Sequence, residues 1–172
     1  MSEVSLVTSV KFNTQEPEIT MTYATDERTQ RAIEQFRGFD IDTQLALLWY
    51  GYLDLKEQLD SETNQPSVQD TAAALYDQIR ALPQEQQLQA QRDIASGGNT
   101  DISRTYNALH SSPKIELWLR LARGMESGEI IQVPSDYELP LETKSFVDTV
   151  KALDFSQRID FTRSIVLEWG AK

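Results

Sequence analysis

From Asp26 to Gly170 the apolar residues recur at the three- and four-residue spacing of an α-helix, and each run closes on a glycine, a proline or a polar stretch. Such a pattern confines the chain to an all-α body, because a half-buried strand needs strict alternation and none is present. The densest run is QLALLWYGYLDL, Gln44 to Leu55, which places Leu45, Leu48, Trp49, Tyr52 and Leu55 on one side of a helix. A first helix is expected over Asp26–Arg37, with Ala32, Ile33 and Phe36 inward and Gly38 as its stop. Asp40 or Asp42 caps the second, which runs to about Leu59.

The polar stretch DSETNQPS follows, and Ser67 with Asp70 reads as a capping box for a helix that buries Ala72, Leu75, Ile79 and Leu82. Pro83 suits a first helical position, and that helix ends at Gly97 and Gly98. A short helix with Ile102, Tyr106 and Leu109 on one face precedes a longer one, with Ser112 as cap, Pro113 in the first turn and Gly128 past its end. The inward stripe of that longer helix is Ile115, Trp118, Ala122 and Met125. After an irregular VPSDYELP connection, helices are expected over Leu141–Leu153 and Ser156–Trp169. Residues 1–25, rich in Ser and Thr and interrupted by Pro17, read as an irregular arm ahead of a single helical domain over residues 26–172.

Composition removes several function classes. A net charge of −11 opposes nucleic acid and anionic membrane surfaces, both of which call for clustered Lys and Arg. No apolar run is long enough to span a bilayer, and the first residues lack the basic and apolar blocks of a signal peptide, so residence in the cytoplasm is expected. With no Cys and one His, His110, neither thiol chemistry nor a Cys/His metal site can be assembled. A serine triad would have to use His110, which sits among polar residues and is expected at the surface. Asp136 with Glu138 and Asp54 with Glu57 are the pairs that an acidic surface supplies by chance. No phosphate-binding glycine loop occurs, and Gly97–Gly98 is a helix stop. An enzyme is not expected.

What stands out is aromatic surface at helical spacing. Trp49, Tyr52 and Trp118 are core residues on the ordinary reading. Each indole or phenol also carries a polar tip that must find a partner when buried, so rings facing small residues such as Gly51 and Ala122 also suit the flat walls of a slot. Periodicity does not separate the two. A pigment-free helical adaptor, holding a protein or lipid in an apolar groove, is the other reading compatible with these stripes.

Five stretches are more specific: QLALLWYGYLDL, LPQEQQLQAQRDIA, RTYNAL, SPKIELWLRLARGMESGEIIQVP and FSQRIDFTRSIVLEWG. Together, in order and nearly in register from about Thr25 to Gly170, they resemble the N-terminal domain of the orange carotenoid protein family. The resemblance implies two interleaved four-helix bundles with a ketocarotenoid, of the canthaxanthin or echinenone type, threaded between them. It implies a carotenoid-binding set of Leu45, Leu48, Trp49, Tyr52 and Leu55 from one helix, facing Ile115, Trp118, Leu119, Ala122 and Met125 from another, with Val133, Ile159 and Asp160 beyond. The chain ends just after this region, as the stand-alone helical carotenoid proteins do.

The function implied is photoprotection without bond chemistry: the polyene takes energy from singlet oxygen or from an antenna pigment and releases it as heat. Arg163 matches a family arginine that meets the light-harvesting antenna, the phycobilisome, which would place the protein near thylakoid membranes. A stand-alone homologue of the family's sensor domain is the expected carotenoid donor. Three departures from the family pattern stand out. Leu119 occupies a tyrosine position, Asp160 a threonine position, and Arg92 the position of a small residue, so either the tunnel is lined differently at Arg92 or the charge turns outward.

Overall fold

The computed structural model describes residues 26–62 and 70–171, and among these every regular element is helical. The arm expected over residues 1–25, the proposed cap Ser67 and most of the DSETNQPS loop lie outside the described residues. Helix α1 is Glu27–Arg37. Asp26 caps it, its carboxylate accepting from the Thr29 amide at 2.9 Å and the Thr29 hydroxyl at 2.8 Å, and these donors hold the carboxyl below its usual range. Gly38 ends the helix in a right-handed conformation, not the left-handed one common for glycine stops.

Helix α2, Ile41–Glu62, runs past the expected end at Leu59. Of its two candidate caps the structure uses Asp40, which accepts from the Thr43 amide at 2.8 Å. Asp42 instead receives two hydrogen bonds from Arg92, at 2.7 and 3.0 Å. Helix α3 is Asp70–Arg80 and α4 is Gln84–Ser96. Pro83 occupies the cap of α4 with an extended ψ of 153°, one residue earlier than expected. Gly97, at φ 73°, is the left-handed stop anticipated for α4.

Helix α5, Asp101–Ala108, is capped by Thr100, and α6 is Ser111–Ser127. Here the expected cap was misplaced, since His110 holds the cap position and Ser112 lies inside the helix. Pro113 tolerates this because the first-turn amides have no helical acceptor, and a missing N–H there loses nothing. His110 is exposed, as its polar surroundings suggested. The helix expected over Leu141–Leu153 divides into a 3₁₀ turn, Leu141–Thr143, and α7, Lys144–Lys151. Finally α8, Phe155–Glu168, starts from a complete capping box in which Asp154 and Gln157 exchange side-chain and backbone bonds.

Packing sorts these helices into two groups. Helices α3, α4 and α5 pack on one another with α6 against α3, while α1 packs on α7 and α8. The contact of α6 with α8 joins the groups, and α2 packs closely on α4 while standing away from α6 and α8. A chain of rings runs through the joint. Phe36, Phe146 and Phe161 meet with centroids 5.4 to 5.8 Å apart, Phe36 reaches Trp169 at 6.4 Å, and Trp169 meets Trp118 edge-on at 5.0 Å.

The group of α3 to α6 is stitched to the loop after α6 by Gln87, buried, whose side-chain amide donates to the carbonyls of Arg80 and Glu129 while its oxygen accepts from the Ile131 amide. The last described turn docks on α4, where the Gly170 amide donates to the Ile94 carbonyl at 2.8 Å. The close fit of α3 on α6 depends on Gly124. A Cβ there would lie 2.4 Å from the Tyr76 hydroxyl and 2.6 Å from Ile130 Cγ1. Replacing Gly124 with Ala should therefore destabilise the protein by about 1–3 kcal/mol, the usual range for overpacking, despite the better helix propensity of alanine. A thermal melt followed by circular dichroism checks this, and an unchanged Tm would mean that Tyr76 moves aside freely.

Candidate ligand-binding site

Where α2 stands away from its neighbours, an apolar cavity of about 230 Å³ opens. On a measure where roughly 10–15 Å³ holds one water, that is room for a sizeable apolar guest. One wall is α2, which contributes Leu45, Leu48, Trp49, Gly51, Tyr52, Leu55 and Leu59. At a rise of about 1.5 Å per residue this wall is ~21 Å long, so the cavity suits a rod better than a sphere. The facing wall is α6, with Ile115, Trp118, Leu119, Leu121, Ala122 and Met125. Phe155, Ile159, Thr162, Arg163 and Val166 of α8 close a third side, and Gln91 enters from α4.

The polar tips of Trp118 and Tyr52 are tied to protein partners. Trp118 donates its indole N–H to the Tyr106 hydroxyl at 3.0 Å, and Tyr106 in turn donates to the Val166 carbonyl at 2.5 Å. Burial raises the Tyr106 phenol far above its ordinary pKa, which keeps it protonated and donating. Tyr52 donates to Glu126 at 2.7 Å, and Lys56 meets the other oxygen of the same carboxylate at 2.5 Å. The hydrogen bonds from Lys56 first and Tyr52 second hold the Glu126 carboxyl below its usual range. Trp49 stacks on Tyr52 one helical turn away, centroids 5.8 Å apart and planes 23° from parallel.

The chain matches the family described as "Orange carotenoid protein, N-terminal" over residues 22–172. It belongs to that family. An orange carotenoid-binding domain-containing protein of Nostoc sp. is 32% identical over 146 residues, 85% of each chain. The orange carotenoid-binding protein of Synechocystis sp. is 29% identical over 138 residues, and the match spans 80% of this chain but 44% of that longer protein. Among solved structures, the red carotenoid protein of Anabaena (Nostoc) sp. binding canthaxanthin superposes with a TM-score of 0.72 at 32% identity, covering 85% of this chain and all of that one. The orange carotenoid protein of the same organism, also binding canthaxanthin, gives 0.76 at 27% identity over 84% of this chain and 47% of its own. These homologues are carotenoid-binding proteins.

Of the residues singled out from sequence, Leu45, Leu48, Trp49, Tyr52, Leu55, Ile115, Trp118, Leu119, Ala122, Met125, Ile159 and Arg163 all border this one cavity. Val133 and Asp160 do not. Val133 is half-buried against the core in the irregular segment after α6, and Asp160, also half-buried, follows Ile159 and so points about 100° around α8 from it. Arg92 is settled as well: it turns away from the cavity to clamp Asp42 at the start of α2. The sequence reading missed Leu59, Gln91, Leu121, Phe155, Thr162 and Val166 as wall residues. Phe155, Ile159, Thr162 and Val166 recur at four, three and four residues, so extending the stripe through Ile159 would have found three of them.

Gly51 sits in the wall with nothing within 4 Å of where its Cβ would be. No protein contact requires glycine there, and a helix-interior glycine costs about 0.5–1 kcal/mol relative to alanine. Gly51→Ala should accordingly raise the Tm of the ligand-free protein by roughly 1–4 °C while narrowing the slot. Calorimetry measures it, and a lower Tm would show that the wall is packed more tightly than the cavity implies.

Proposed function

We propose that this protein binds a ketocarotenoid, of the canthaxanthin or echinenone type, along the cavity between α2, α6 and α8, and acts in photoprotection by quenching singlet oxygen. The observation that carries the proposal is the convergence of three helices on one elongated apolar space, bordered by the same residues through which the chain resembles carotenoid-binding relatives. Within it, Leu45, Leu48, Trp49, Tyr52, Leu55, Ile115, Trp118, Leu119, Ala122, Met125 and Ile159 contact the pigment. Val133 and Asp160, which the family resemblance adds to this set, stand off the cavity wall. Met125 fills irregular gaps because its side chain is flexible and polarisable.

The protein's part is to hold the polyene extended and dry; the excited-state chemistry belongs to the pigment. Arg163, on the wall of the same cavity, is the residue we assign to contact with the phycobilisome, a second role that places the protein near thylakoid membranes. No described helix is long and apolar enough to cross a membrane. A homologue of the family's sensor domain is the pigment donor that we expect.

Expression in cells that make canthaxanthin should yield coloured protein, and colourless protein from those cells would favour a pigment-free adaptor. Two substitutions refine the test. Trp49 is half-buried on the wall, so Trp49→Ala should lose most of the colour with little change in Tm. Trp118 both lines the cavity and packs on Trp169 and Tyr106, so Trp118→Ala should lose colour and about 3–5 kcal/mol of stability together. Full colour in Trp49→Ala would remove that ring from the site.

A further inference from the structure

Within an otherwise apolar cavity, Gln91 is an anomaly. Its side chain is 5% exposed and lines the wall. Among the described residues its only hydrogen bond runs from the side-chain amide to the Gln87 carbonyl at 3.5 Å, the outer limit of such a contact, and that carbonyl lies one turn back on the same helix. A carboxamide offers two donors and two acceptor positions, so most of this capacity is left unused, on a residue that lines the cavity, whichever way round the group is drawn.

Three other neutral polar tips on the wall are committed. Thr162 donates to the Arg158 carbonyl at 3.0 Å, Trp118 to Tyr106 and Tyr52 to Glu126. Nearby Gln87, by contrast, uses both its nitrogen and its oxygen in three bonds, so a buried glutamine in this fold is satisfied where its role is structural. An apolar side chain at position 91 would continue the wall and avoid the desolvation of an amide.

We propose that Gln91 is a specificity-determining residue: its amide donates a hydrogen bond to an oxygen on the end ring of the guest, and the protein thereby selects oxygenated carotenoids over hydrocarbon ones. The inference rests on the carotenoid reading of the cavity. It also fixes a direction. Gln91 belongs to α4, whose Arg92 holds Asp42 at the first turn of α2, so the oxygenated ring lies toward the N-terminal half of α2.

Competition between canthaxanthin and β-carotene, offered together to the ligand-free protein, tests this. The wild type should load canthaxanthin roughly two- to tenfold in preference, the ratio that one net hydrogen bond supplies, and Gln91→Leu should load the two nearly equally. Gln91→Met, unbranched and flexible, gives the same comparison if leucine disturbs the helix. Resonance Raman of the canthaxanthin-loaded protein should show a ring-carbonyl stretch at lower frequency in the wild type than in either variant, a signature that a purely structural glutamine would not produce. A preference that survives in both variants, or an unshifted carbonyl band, overturns the assignment while leaving carotenoid binding intact. A wild type that takes up neither pigment overturns the carotenoid reading itself, and this inference with it.

Discussion

The architecture turns on the separation of α2 from α6 and α8. Two polar clasps set that separation. At one end Arg92 of α4 holds Asp42 in the first turn, and about three to four turns on, Tyr52 and Lys56 share the carboxylate of Glu126. Between the clasps the facing surfaces are apolar and leave a slot. The ion pairs in both clasps are partly exposed, and surface pairs contribute at most about 1 kcal/mol in water. The clasps tie two points along a helix whose close packing is on α4, across the slot from α6 and α8.

Rigidity comes from behind the slot. The rings from Phe146 through Phe36 and Trp169 to Trp118 connect the two groups, and the Trp118–Tyr106–Val166 hydrogen bonds fix the last indole at its polar edge. Trp118 is therefore at once a core residue and a wall, its far side supported by Trp169 and Tyr106. The question of whether such rings are packing or binding surface has a positional answer. Trp118 is anchored on both counts, whereas Trp49, half-buried against the edge of the core, has its ring contact with Tyr52 of its own helix.

Helix boundaries were legible wherever backbone conformation dictates the residue. Gly97 and Gly128 stop their helices at positive φ, and Asp40, one of two caps offered for α2, holds that place, whereas the caps Asp26, Thr100 and Asp154 were not singled out. They were least legible where no side chain decides: α6 begins at an uncapped His110, and Ser112 offered a false signal because serine suits a cap but is tolerated in a first turn. The apolar wall was readable from helical spacing joined to family resemblance. Its polar member was not. Gln91 stands beside Arg92, whose charge in a family position of a small residue drew the question, and only the rotation of α4 shows that the charged neighbour faces out while the neutral one faces in.

This division matters for how such a site holds a pigment. At about 0.8 kcal/mol per buried CH₂, a polyene of about forty carbons gains tens of kcal/mol on leaving water, beyond what any measured affinity reaches. Water is thus the wrong reference. The competing state is a membrane or a carrier as apolar as the slot itself, and against that reference the hydrophobic term nearly cancels. Net preference must come from what a membrane interior lacks: flat rings at fixed spacing, a slot of fixed width, and a hydrogen-bond donor at a fixed depth. Trp49, Tyr52 and Trp118 supply the first, the two clasps of α2 set the second, and the buried amide of Gln91 has the chemistry of the third. A guest with an oxygen on its ring gains from all three, and one without it gains from two.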